Sequence, residues 1–169
     1  MERIKDEEKD EYIDFLMRQI RLADAYWFLG VEKSWGLPAA VKVNEEVWET
    51  IGAKTAREIK RRFSVPEKGL DGFVRAQMYY PWTRISGHVI TREGGKVIIT
   101  VPSCLPQVAR IKSGLGEFPC KDMHLKEFCA FAKEIDDTIE VKCVYAPPDA
   151  HPQTCFCRWE FTIRKKNNL

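Results

Sequence analysis

The chain lacks most of the features that assign a function quickly. Its first residues, MERIKDEEKDE, contain no apolar core segment and do not read as a secretory signal. No run of about 18 apolar residues occurs, so no membrane-spanning helix is expected. Net charge is only +2, from 27 basic and 25 acidic residues, which is too small to imply a nucleic-acid partner. There are only three histidines, His88, His124 and His151, and any imidazole chemistry must draw on them. No internal repeat or low-complexity segment is visible. The GLGEF segment at 114–118 lacks the Lys-Ser/Thr of a phosphate loop.

What is present describes an ordinary globular chain. Its 169 residues suit one domain, or one domain with a helical extension, and can bury a core without covalent staples. Because no export signal is read at the start, the six cysteines are expected to be thiols or metal ligands in a reducing cytosol. Such thiols also serve simply as small buried apolar groups.

Periodicity then divides the chain. Tyr12, Phe15, Leu16, Ile20, Ala23, Trp27 and Val31 recur at helical steps and predict one helix over residues 5–35. Its second half is almost wholly apolar around Asp24, whose carboxylate needs a cation, a polar cavity or the rim. Gly36 and Pro38 are expected to end it, and Asn44 to cap the next helix. Residues 53–63 read as a third helix, or as a continuation past Gly52, with a basic face of Lys54, Arg57, Lys60, Arg61 and Arg62. The turn-rich segment at 64–70 is the expected boundary between a helical section, 1–66, and an α+β domain, 70–163, ahead of a polar tail, 164–169.

Beyond that boundary residues 72–80 read as a strand, with Pro81 marking an edge or bulge. Residues 84–91 and 96–101 form a hairpin around Glu93-Gly94-Gly95, and VIITV, apolar on both faces, belongs in the sheet's middle. A short helix at 107–113 stops at Gly114. A longer one at 122–135 carries a stripe of Leu125, Phe128, Cys129 and Ala132. Strands at 139–145 and 156–164 follow. The expected fold class is α+β: N-terminal helices, then a mainly antiparallel sheet of about five strands with helices packed on it.

Candidate chemistry gathers near the end of the chain. Glu140, Cys143, Cys155 and Cys157 lie on or beside the last two strands, and Cys120 opens the preceding helix. Thiolates with a carboxylate or imidazole suit Zn²⁺. Glu140 and Cys143 would point to opposite faces of an ideal strand, so joint ligation needs a bulge or strong twist. Asp149 and His151 beside Cys155 suggest a nucleophilic set, but their spacing equally describes a rigid turn. Asp24, Trp27, Tyr80 and Trp82 are candidates for lining a ligand pocket, and Arg110 for a carboxylate clamp at its rim. Core packing and surface ion pairs are the plainer roles for these residues.

Two resemblances add to this reading. The segments IEVKC and CRWEF, at 139–143 and 157–161, resemble the 4-vinyl-reductase-type small-molecule-binding domain over residues 70–163. That likeness implies a ligand pocket on an antiparallel sheet. It also implies zinc held by Cys120, Glu140, Cys143 and Cys157, with His151 and Cys155 competing because the PPDAHPQT connection is long. The segments ADAYWFLGVEKSWG, NEEVWE, CLPQVARIKSGLGEFPCK and PPDAHP resemble a prokaryotic cytosolic family of unknown function over nearly the whole chain. That family is sometimes labelled similar to L-2-amino-thiazoline-4-carboxylate hydrolase, which would imply hydrolytic opening of a small cyclic amidine-like ring. The expectation is a cytoplasmic, sensor-like protein that binds a small-molecule ligand and carries a structural zinc. The alternatives are a metal- or thiol-dependent hydrolase and a DNA-linked regulator. The first helix offers a surface for a homodimer.

Overall fold

The computed structural model describes residues 4–164. A 3-10 turn at Asp6–Glu8 leads into α1 (Lys9–Trp35), which takes up the long periodic stretch. Gly36 ends α1 with φ +85°, its N–H donating to the Glu32 carbonyl. The second helix, α2 (Leu37–Phe63), starts well before the expected cap, so Asn44 lies inside it. Pro38 stops nothing: it stands in the first turn, where a missing N–H costs no hydrogen bond.

The segment expected as a strand at 72–80 is helical, α3 (Gly69–Met78). Gly72, Phe73, Ala76 and Gln77 are its buried residues, spaced at helical steps along one face. A short apolar run read without its neighbours does not separate the two periods. Pro81 opens the short helix α4 (Pro81–Ile85), so the expected strand from residue 84 begins only with β1 (Val89–Glu93). Then come β2 (Lys96–Val101), α5 (Leu105–Lys112), α6 (Lys121–Ile135), β3 (Ile139–Tyr145) and β4 (Cys157–Ile163). The fold is α+β with one antiparallel sheet of four strands, not about five, in the order β1-β2-β4-β3.

The chain divides into two compact units between Ala40 and Val41. In the first, α1 buries no residue, and Tyr12, Leu16, Ile20 and Trp27 form an exposed apolar row. In the second, β2 is an interior strand, as the apolar VIITV run suggests. Its inward residues Val97, Ile99 and Val101 pair with Phe161, Trp159 and Cys157. Phe73 of α3 and Phe128 and Phe131 of α6 cover this face, packing on Phe161 and Trp159 in tilted and edge-on contacts. The opposite face of the sheet carries polar pairs such as Lys96–Glu160 at 2.8 Å and Arg158–Glu93 at 3.3 Å. Asp136 joins the layers: its carboxylate accepts the N–H of Gly69 and both the N–H and the hydroxyl of Thr138.

The buried side of α6 differs from the expected stripe. Met123, Glu127, Phe128, Phe131, Ala132 and Ile135 are buried, Leu125 is half-buried and Cys129 is exposed. The helix is rotated so that a glutamate faces inward.

Candidate acid–base site between α6 and the sheet

The start of α6 is pinned before its functional side chains appear. The N–H groups of Cys120 and Lys121 both donate to the Pro147 carbonyl, at 3.0 and 2.9 Å, and Lys121 pairs with Asp149 at 2.8 Å. One turn later His124 and Glu127 stand three residues apart, a spacing that brings helical side chains together. Against this turn runs α2, and Gly52 makes the approach feasible. A Cβ at Gly52 would lie 2.7 Å from the Glu127 carbonyl oxygen.

Glu127 is only 3% exposed. The Tyr80 hydroxyl donates to its Oε1, and His124 Nδ1 donates to its Oε2 at 2.8 Å. His124 keeps 27% of its side chain exposed, stacks on Phe128 at 5.9 Å and meets the edge of Trp159 at 6.3 Å. The Phe128 ring also contacts His88, at 6.4 Å. Burial, and then the nearby charge of His124, lower the His88 pKa to about 3, so this imidazole is neutral.

Two buried side-chain nitrogens have no hydrogen-bond partner among the described residues: His88 Nδ1, beside this cluster, and Gln77 Nε2. The Gln77 oxygen is used, accepting from the Thr83 hydroxyl at 3.0 Å. Each orphaned group costs about 1–3 kcal/mol. A buried carboxylate holding one imidazole by Nδ1 leaves Nε2 available for proton exchange, while a neutral second imidazole can give or take a hydrogen bond. The sequence-based candidates included only Tyr80 of these groups. The readable signal for the others is His-x-x-Glu on a predicted helix, but the expected stripe of Leu125, Phe128, Cys129 and Ala132 leaves Glu127 on the opposite side.

The thiols form a neighbouring group. Cys104 and Cys120 precede α5 and α6, Cys157 faces Val101, and Cys143 faces Trp159. Burial pushes the thiol pKa values up, to about 11 for Cys104 and Cys143, about 12 for Cys120, and higher for Cys157. All four are therefore protonated at neutral pH and poor nucleophiles. Gln107, fully buried, bridges this region: its amide donates to the Phe118 carbonyl at 2.8 Å and to Cys120 Sγ at 3.3 Å, and its oxygen accepts the Phe118 N–H.

Of the zinc set implied by resemblance, Cys120, Cys143 and Cys157 lie in one region and Glu140 does not join them. Glu140 is exposed and pairs with Arg164 at 3.0 Å, whereas Cys143 and Cys157 face the helices. The one irregularity in β3 falls between Cys143 and Tyr145, too late to turn Glu140 inward. His151 lies against Glu117 at 3.2 Å, and the Cys155 thiol donates to the Cys157 carbonyl. Among the described residues no group of three or more His, Cys, Asp and Glu side chains is placed to hold a metal ion.

The remaining candidates are spread out. Asp24 and Trp27 lie on α1 in the first unit, Asp24 half-buried and Trp27 exposed. Trp82 packs edge-on against Trp48 at 5.3 Å. Arg110 is buried in its own corner, over the Phe118 ring and donating to the Gly116 carbonyl. The basic face of α2 is partly neutralised: Glu58 takes Arg61 and Arg62, and Glu134 takes Arg57. Beside the Gly52 crossing an open groove of about 600 Å³ runs along α2 and α6, lined by Glu49, Ala53, Arg57, Leu125 and Lys133 among others.

Helices α3 and α6 on one face of a four-stranded antiparallel sheet, enclosing a Tyr–Glu–His chain, define an α+β protein with a buried acid–base cluster. The chain belongs to the family of unknown function DUF6125, whose model matches residues 5–163. No curated protein and no solved structure matches it. Among the described residues no helix is long and apolar enough to cross a membrane.

Proposed function

We propose that this protein binds a small molecule at the α6–sheet site, through Tyr80, His88, His124 and Glu127. The observation that carries the reading is Glu127: a carboxylate at 3% exposure, set among aromatic rings, with the orphaned Nδ1 of His88 on a ring that meets the same Phe128 as His124. Burying so many polar groups in one corner is costly, and a ligand that takes up their hydrogen bonds offsets that cost. The surrounding Phe128, Phe131 and Trp159 rings suit an aromatic or apolar body. Six free cysteines support a reducing, cytosolic setting. The reading gives zinc no role, because Glu140 is turned away from the thiols. Thiol-dependent hydrolysis gains no support from protonated, buried cysteines.

The test is an NMR titration of the protein with a panel of small aromatic amides, carboxylates and amines. The expected result is saturable shifts at His88, His124, Phe128 and Trp159, weakened in Glu127→Gln. A panel that moves none of these residues would defeat the proposal.

A further inference from the structure

The cluster holds its two imidazoles in opposite conditions. His124 is gripped at Nδ1 by Glu127, which is itself held by the Tyr80 hydroxyl, and its outer edge reaches solvent. His88 meets the same Phe128 ring, desolvated, with a buried Nδ1 that no described residue satisfies. A carboxylate-held imidazole is suited to take a proton. A neutral buried imidazole is suited to polarise a carbonyl oxygen without becoming charged.

We propose that the site transfers a proton from carbon next to a carbonyl group, with His124 as base and His88 as hydrogen-bond donor to the carbonyl oxygen. This rests on the binding reading and deepens it: the ligand class is a small aryl-substituted ketone or aldehyde with an acidic C–H. His124 Nε2 takes the proton. The C–H electron pair forms the carbon–carbon double bond of an enolate, and the carbonyl π pair moves to the oxygen facing His88. Returning the proton restores the ketone, so no oxidant, reductant or further reactant is consumed. Glu127 is a positioning residue, acting through His124.

The experiment uses phenylacetone in D2O and follows loss of its methylene proton signal by NMR, with phenylacetone binding read from protein shifts in the same tube. The wild type is expected to exchange the methylene protons faster than an equal concentration of free imidazole. His124→Gln, at a half-exposed position that tolerates the change, should slow exchange by about 100-fold or more and recover partly on adding imidazole. Glu127→Gln should lower the exchange rate at saturation by a larger factor than it raises the half-saturating concentration, with Glu127→Asp restoring part of the rate. Saturable binding with no exchange above free imidazole overturns the catalytic inference and leaves the binding reading standing. Exchange unaffected by His124→Gln overturns the assignment of the base. Absence of both binding and exchange overturns this ligand class, and the fragment panel then decides the binding reading.

Discussion

Replacing Gly52 with alanine sets two effects of opposite sign against each other. Gly52 lies inside α2 and has ordinary helical backbone, so alanine gains about 1 kcal/mol of helix propensity. Against this, the new Cβ would sit 2.7 Å from the Glu127 carbonyl oxygen and 3.3 Å from its Cγ. The carbonyl belongs to α6 and cannot rotate away as a side-chain tip would. Reaching ordinary contact at 3.4 Å needs the helices to part by 0.7 Å, the difference from 2.7 Å. Overpacking of this kind costs about 1–3 kcal/mol. The same displacement strains the hydrogen bond that Tyr80, on another element, donates to Glu127, at about a further 1 kcal/mol. The clash wins, and Gly52→Ala should destabilise the second unit by about 1–3 kcal/mol. Gly30→Ala is the control: nothing lies within 4 Å of its Cβ position, so it should be neutral or slightly stabilising. Urea unfolding followed by tryptophan fluorescence and circular dichroism measures both. A Gly52→Ala protein as stable as the wild type would refute the close approach of α2 to Glu127.

Other outcomes follow from the same geometry. The folded pKa of His88 is about 3, below the 6.5 of an unfolded histidine, so the unfolded chain takes up the proton first as pH falls. His88 therefore contributes full stability above about pH 6.5, and about 2 kcal/mol is lost between pH 7 and pH 5. Urea titrations at the two pH values should show that loss in the wild type and a smaller one in His88→Leu. Gln107→Ala strips partners from the Phe118 N–H and C=O together and should cost about 2–4 kcal/mol in equilibrium unfolding. A loss below 1 kcal/mol would mean that water replaces the amide there. In native protein Cys129, the exposed thiol, should be alkylated by iodoacetamide before Cys104, Cys120 and Cys157, as peptide mass spectrometry can follow.

Long elements were legible because their information is local. The row from Tyr12 to Val31 specifies α1, and Gly94 and Gly95, with φ +56° and +80°, turn the hairpin that their dipeptide announces. The last two strands and α6 read equally well, with boundaries one residue off in β4 and α6. The stretch at 72–80 was misread because its apolar residues fit two periods, and only burial of Phe73 against Phe131 and Phe161 selects the helical one. The placement of Glu127 failed for a related reason. A glutamate on an amphipathic helix is normally on the wet side, and what holds this one inward is the Tyr80 hydroxyl beyond the end of α3 and the close approach of α2.

The sequence by itself therefore determined the fold class, the central position of β2, and the separation of Glu140 and Cys143 onto opposite faces of a strand. All three follow from spacing along the chain, which a helix or strand converts directly into direction. Only the tertiary structure decided that Tyr80, His88, His124 and Glu127 share one corner. They come from three separate stretches, and no local rule relates one stretch to another. Their meeting depends on a glycine at position 52 that lets α6 approach α2 and on a strand register that sets Trp159 beneath it.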